Sequence, residues 1–254
     1  MSKQKKTTTV ELQKTLHKNL SFTAAEAYKL LRTNLQFVLP DSKEESECRI
    51  IGITSSIRGE GKSTTAINLS YTLAETGKRV VLIDADMRLP SVGKKLDIPN
   101  APGLSNVLIT TGSETKIAIR PSKIDPNWWI VTAGNIPPNP SELLGSRRMQ
   151  TLLKALAKEF DYIIVDLPPV NVVSDALVVS PVLDGLIVVV RENYTERREL
   201  RSCIRHLNLS NAKVLGIVMT GTRGSIKRYG KYKYGYDSYS RAKPGERPEG
   251  TGSD

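Results

Sequence analysis

Residues 49–68 read RIIGITSSIRGEGKSTTAIN, and this stretch decides the fold. Residues 49–55 form a short apolar run rich in isoleucine, the length and composition of a buried strand. From 63 to 74 the apolar residues recur at helical spacing, and a glycine-bearing turn lies between. Strand, Gly-rich turn, Gly61-Lys62-Ser63 and helix together make a phosphate-binding loop. Glycines let backbone N–H groups converge on phosphate oxygens, and the helix N-terminus adds partial positive charge. The expected nucleotide contacts are Ser56, Arg58, Gly59, Glu60, Gly61, Lys62, Ser63 and Thr64. Lys62 would reach the β and γ phosphates of a nucleoside triphosphate, and the Ser63 hydroxyl would join the oxygen shell of Mg²⁺. One departure stands out: the usual pattern has Gly six residues before the lysine, and here that residue is Ser56.

Composition sets bounds around this core. At 254 residues, 39% of them hydrophobic, the chain can hold one sizeable α/β domain plus tails. A formal charge of +11 predicts attraction to an anionic partner without naming it. Cys48 and Cys203 lack any metal-ligand pattern and read as small buried or half-buried residues of a reducing cytoplasm. His17 and His206 suggest no catalytic pair. The first nine residues are charged and have no apolar core, so no signal peptide is expected. No apolar run approaches the length of a membrane span. The expectation is a soluble chain whose membrane association, if any, comes through a partner.

Outward from the loop, the chain divides into a flexible arm (1–20), a phosphate-loop domain (21–221) and a disordered, basic, tyrosine-rich tail (222–254). Ser21 or Thr23 caps a helix over 24–38. Within it Glu26, Lys29 and Arg32 share one side, which spacing alone reads as a solvated charged face. After the loop helix, a strand over 78–83 leads into Asp84-Ala85-Asp86-Met87-Arg88. Residues 90–103 read as loop and short turns, 104–108 as the start of a small helix, and 128–131 as a strand whose two tryptophans pack. The proline-rich stretch 135–142 ends in a Ser-capped helix start. Helices over 147–160, 174–180 and 196–207 then alternate with strands over 161–166, 185–191 and 214–220. Such alternation implies an α/β fold: a doubly wound, mostly parallel sheet with helices on both faces, of the P-loop NTPase type.

Three carboxylates are expected at the loop. Asp84 and Asp86 lie two apart at a strand's C-terminal end, and Asp166 ends another strand, in the crevice where open α/β sheets bind ligands. Phosphoryl transfer needs metal ligands and a residue that orients or deprotonates the acceptor hydroxyl. Beside Ser63, Asp166 and one strand-end aspartate (Asp84 in the first instance) are therefore expected at the metal, while the other could act as base. Lys62, Asp84 and Asp86 are thus the candidates at the chemistry. The tail places Tyr229, Tyr232, Tyr234, Tyr236 and Tyr239 among lysines. Three readings stay open from spacing alone: stacking on single-stranded nucleic acid, a solvated low-complexity segment, or phenols that accept a phosphate.

Taken together, SSIRGEGKS, VVLIDADMR, DYIIVDLPPV and the terminal tyrosine cluster resemble the bacterial tyrosine kinases of capsular and exopolysaccharide biosynthesis, in their short cytoplasmic Gram-positive form. The resemblance implies ATP and Mg²⁺ at Lys62 and Ser63, a catalytic pair in Asp84 and Asp86, and a Walker B aspartate in Asp166. It also implies autophosphorylation of the tyrosine cluster between neighbouring copies in a ring-like homo-oligomer. EAYKLLRTN resembles the family's association helix, which gives Glu26, Lys29 and Arg32 a role in subunit contact; Lys29 stands where the family has Arg. Further implied are a membrane-anchored activator acting through its cytoplasmic tail, a phosphotyrosine phosphatase, other protein substrates, and recruitment to the inner face of the membrane. No direct nucleic-acid role is favoured. The alternative is a MinD/ParA-like ATPase switch with a tail that binds nucleic acid or a membrane partner. Ile57 occupies the position of that class's signature lysine and argues against it. Thr220 stands where many relatives have an Asn near the adenine. A small-molecule kinase or ligase would leave the tyrosines unexplained.

Overall fold

The computed structural model describes residues 19–39, 48–110 and 119–222. Its centre is β1 (Arg49–Ser55), hydrogen-bonded on one side to β5 (Tyr162–Asp166) and on the other to β6 (Gly185–Arg191). Beyond β5 lie β2 (Val80–Asp84), β4 (Trp128–Val131) and the two-residue β3 (Arg120–Pro121); beyond β6 lies β7 (Val214–Thr220). The seven strands run in the order β3-β4-β2-β5-β1-β6-β7, and every pairing except β3 with β4 is parallel. Parallel neighbours need crossovers, and the sequence supplies helices there.

The side-chain alternation of the strands builds two cores. On one face Val81, Ile83, Ile163, Val165 and Val188 meet Met149, Leu152 and Leu156 and, further along, Cys203 and Leu207. On the other, Ile53, Leu82, Ile164 and Val189 meet Ala66, Ile67, Leu69 and Leu73, with Leu35 behind them. The first set of helices is α6 (Arg147–Leu156) and α8 (Arg197–Leu209); the second is α2 (Lys62–Ala74) backed by α1 (Phe22–Val38). Gly52 on β1 leaves room for the first core, since a Cβ there would come within 2.4 Å of a Leu186 methyl. The doubly wound reading therefore stands, with helices covering both faces.

Ser21 caps α1, its hydroxyl accepting from the Ala24 amide at 3.3 Å. Several boundaries differ from the sequence reading. The stretch read as loop over 90–103 contains α3 (Val92–Leu96), and the small helix is α4 (Leu104–Ile109). The next helix, α5 (Pro140–Leu144), starts from Asn139 and not from a serine cap; Ser141 already lies within the helix, and its hydroxyl donates to Asp175. Ser174 stands at the cap position of α7 (Asp175–Val179) without a capping bond. Helix α6 stops at Leu156, and Phe160 packs edge-on against Trp129, ring centroids 5.2 Å apart. Both tryptophans pack, as expected; Trp128 is fully buried. Cys203 is buried and Cys48 half-buried, both as free thiols. The chain divides after Gly221, and the sheet, its helices and both cores belong to the part before that point. Among the described residues no helix is long and apolar enough to cross a membrane.

Candidate functional site

Strand order brings the expected residues to one edge. Asp84 and Asp166 are register partners at the C-terminal ends of adjacent strands, and Ile53, two residues before the loop begins, is the partner of Asp166 on the other side. The loop thus leaves β1 beside both carboxylates, in the crevice that parallel sheets offer ligands.

Within the loop only Gly59 (φ 83°) and Gly61 (φ 98°) take left-handed backbone. Ser56 does not, which explains why a serine can replace the usual glycine there. Gly61 then caps α2, whose first residues are Lys62 and Ser63. The amides of Arg58, Gly59, Glu60 and Gly61 have no acceptor among the described residues. That is the arrangement of a backbone nest for an anion.

Lys62 organises the acids. Its Nζ lies 2.8 Å from Asp86 Oδ2, 3.3 Å from Asp166 Oδ1 and 3.2 Å from Ser63 Oγ. Burial pulls the Lys62 ammonium down, but Asp166, Asp86 and Asp84 outweigh it and hold it above the ordinary lysine range. Burial pushes the Asp84 carboxyl up to about 7, helped by the Asp166 charge and opposed by a backbone bond from Val92 and by Lys62. Asp166 is raised for the same first reason, burial, with Lys62 and the Ser63 hydroxyl opposing. Three acids around one ammonium carry surplus negative charge in a dry place, a poised condition for binding cations.

The aspartates have distinct second duties. Asp84 Oδ2 accepts from the amides of Ser91 and Val92 at 3.1 and 3.0 Å, and so caps α3; its Oδ1 accepts from Asp86 N at 3.2 Å. Asp84 thus serves a helix as well as the crevice. Asp86 Oδ1 accepts from Leu89 N at 3.1 Å. Arg88 pairs with neither acid. It forks onto fully buried Asp175, at 3.0 Å (Nε to Oδ2) and 3.1 Å (Nη2 to Oδ1), and reaches Ser141 Oγ at 3.0 Å. Asp166 Oδ2 is buried with no hydrogen-bond partner. Beside the Ser63 hydroxyl it forms an all-oxygen donor pair that fits Mg²⁺, an ion that takes one or two carboxylates and completes its shell from phosphates and water. Accordingly, among the described residues no three acidic, histidine or cysteine groups surround a ready-made metal position.

Lys95 carried no signal in the sequence, and other residues around the site take unexpected partners. Lys95 of α3 reaches Thr64 Oγ1 at 3.2 Å, and burial lowers its pKa. The Glu60 side chain, expected among the nucleotide contacts, is fully buried inside the loop. Its Oε2 accepts from Ile57 N at 2.8 Å and its Oε1 from the Thr195 hydroxyl, so only its backbone faces a ligand. Thr220, at the position associated with the base, spends its hydroxyl on Glu60 O at 2.6 Å. On α1, Lys29 pairs with Glu26 at 2.7 Å, while Arg32 donates to Thr72 O at 2.8 Å. The five tail tyrosines, 229 to 239, lie outside the described residues.

A glycine nest at a helix start, a lysine at its mouth and strand-end acids in register define a P-loop nucleotide-binding protein. Residues 48–214 match the AAA domain family. Over 83% of this chain and 85% of the relative, the sequence is 36% identical to the tyrosine-protein kinase YwqD of Bacillus subtilis (strain 168). It is 33% identical to the putative tyrosine-protein kinase CapB of Staphylococcus aureus, over 87% of this chain and 93% of that one. The crystal structure of the chimerical protein CapA2B2 covers 82% of this chain and 89% of its own, with a TM-score of 0.72 and 32% identity. The chain belongs to the bacterial tyrosine kinase family.

Proposed function

We propose that this protein is an ATP-dependent protein-tyrosine kinase that phosphorylates the tyrosine cluster of a neighbouring copy and regulates capsular or exopolysaccharide synthesis and export. The observation that carries the reading is the Lys62 ammonium, held 2.8 Å from Asp86 and 3.3 Å from Asp166 at the opening of the nest. A triphosphate in the nest would compete for that ammonium and draw it toward the β and γ phosphates. Asp86 and Asp166 would then be released from their ion pair at the moment substrate arrives.

The roles divide by what each acid already does. Asp84, tied by three amides, holds the Asp84–Arg88 segment and α3 in place. Asp166 and Ser63 would hold Mg²⁺, which when bound neutralises charge developing on the transferred phosphoryl group. Asp86 is the least buried of the three, at 5% exposure, which supports giving it the role of orienting the phenol or accepting its proton. Phenol titrates near 10, so removing its proton at neutral pH requires positioning beside a charged acceptor site. A membrane-anchored activator, neighbouring copies held partly by Glu26, Lys29 and Arg32, and a phosphatase complete the proposal. The family kinship and the charged face of α1 support that part.

The test is intact mass and tail-peptide mapping after ATP and Mg²⁺, for wild type and Lys62→Met. Each is run with and without the cytoplasmic segment of a membrane protein encoded beside it. Phosphate on residues 229–239 that disappears in Lys62→Met is the expected result. ADP release without phosphotyrosine in every wild-type sample would overturn the kinase reading.

A further inference from the structure

Three consecutive carbonyls of the phosphate loop are each held from outside by a side chain of the opposite half of the sheet. Arg58 O accepts from Tyr194 Oη at 3.1 Å, Gly59 O from Arg191 Nη1 at 3.3 Å, and Glu60 O from Thr220 Oγ1 at 2.6 Å. In a trans peptide the C=O of one residue and the N–H of the next point in opposite directions. Holding these three carbonyls outward therefore aims the amides of Gly59, Glu60 and Gly61 the other way, into the nest.

We propose that Tyr194, Arg191 and Thr220 are positioning residues that set the aim of the loop amides before nucleotide arrives, with Glu60 as the internal strut of the same device. The inference rests on the nucleotide-binding reading above and adds residues that the motif does not contain. Glu60 works from inside the loop. One carboxylate oxygen takes the Ile57 amide, and the other takes the Thr195 hydroxyl, which itself accepts from Arg191 N at 2.8 Å. Arg191 stacks over the Tyr194 ring, 5.4 Å from its centroid, so the holding side chains also brace one another. The two glycines complete the fit. A Cβ at Gly59 would come within 3.1 Å of Tyr194 Oη, and one at Gly61 within 3.3 Å of the Thr220 side chain.

A glycine-bearing loop otherwise has many conformations to lose on binding, and a loop already aimed loses fewer. The holding groups belong to residues 191–195 and 220, so nucleotide affinity is set partly from the ends of β6 and β7, on the side of β1 away from the three aspartates.

The experiment uses the full chain and titrates ADP with Mg²⁺ by calorimetry. The variants are Tyr194→Phe, Thr220→Val, the two together, and Thr220→Ser. Tyr194→Phe and Thr220→Val each remove one hydroxyl while keeping the ring or the branched carbon. The double variant removes both, and Thr220→Ser keeps the hydroxyl and gives up only the methyl. Each single loss is expected to weaken ADP by about tenfold or less, and the double variant more than either. Thr220→Ser should return close to wild type. Far-ultraviolet circular dichroism and the melting temperature without nucleotide should change little. In kinase assays the KM for ATP should rise while kcat stays within about twofold, the pattern of lost uniform binding. Unchanged ADP affinity in the folded double variant would overturn the inference, as would a Thr220→Ser chain as weak as Thr220→Val. A wild-type chain that binds no ADP would instead sink the nucleotide reading itself.

Discussion

At the scale of single residues the site is governed by charge in a dry place. The Asp84 carboxyl is lifted to about 7 by burial and by Asp166, far above its value in an unfolded chain. A carboxyl raised on folding binds its proton more tightly in the folded state. Its contribution to stability is therefore present at low pH and lost as pH climbs from about 4 through 7. Asp84→Asn removes this loss while keeping an acceptor for the α3 amides. The variant should gain stability relative to wild type between pH 5 and pH 8, checked by urea unfolding at both values. Lys62→Met should move stability the other way. It leaves Asp166, fully buried, without its nearest cation, and removing one partner of a buried pair costs about 3–5 kcal/mol. The loss should show as a lower urea midpoint without ligand. For that reason the kinase-dead control must be checked for folding before its silence is interpreted.

At the scale of elements, the question is how a strand end, a loop and several short helices keep their relative positions. The Arg88–Asp175 fork, with Ser141, fastens the segment after β2 to α5 and α7. Arg88→Ala would strand the Asp175 carboxylate in the interior and should cost about 3–5 kcal/mol in urea unfolding. The paired change Arg88→Met with Asp175→Leu should recover much of it, since no unpaired charge then remains. This also shows where the sequence stopped being readable. Strands, helices and the loop follow from apolar spacing and glycines, because those signals are local. Asp84 and Asp166 were legible because each ends an apolar strand. Asp175 was not, since an acid after a serine at a helix start looks like an ordinary cap, and its partner lies 87 residues away. The inward turn of the Glu60 side chain was illegible for a related reason: adjacency in the motif says nothing about which way a side chain turns. Helix α3 hid in a segment of prolines and lysines because it is only five residues long. Its first amides are also taken by the distant Asp84 carboxylate, while Ser91, at the cap position, makes no capping bond. On α1, Arg32 donates to a carbonyl in the last turn of α2, a favourable place for a cation. Arg32→Ala should therefore lower stability by about 1–3 kcal/mol even in dilute, unassociated protein. Subunit contact and intrachain stability must be read separately in that variant.

At the scale of the whole molecule, the chain joins a nucleotide site built before Gly221 to a segment carrying five tyrosines after it, and the proposal assigns donor and acceptor to different copies. Two chains, each deficient in one part, separate the roles. A chain ending at Gly221 keeps the nest, Lys62 and the aspartates but has none of the five phenols; it should bind ADP with Mg²⁺ as the full chain does. The full-length Lys62→Met chain keeps the tyrosines and lacks the lysine that meets the phosphates. Incubated alone with ATP and Mg²⁺, neither should gain mass. Mixed, in the presence of the activating segment, the Lys62→Met chain should gain phosphates on residues 229–239 while the shortened chain stays unmodified. Each phosphate adds about −1.5 to −2 charge at neutral pH, so full modification of five sites would bring the chain's +11 near neutrality. The modified fraction should accordingly leave a cation exchanger at lower salt than the unmodified chain. Mass on the Lys62→Met chain only in the mixture would mean transfer between copies. No mass in the mixture, with wild type labelling itself normally, would mean that the tail reaches its own site and that transfer between neighbours is wrong.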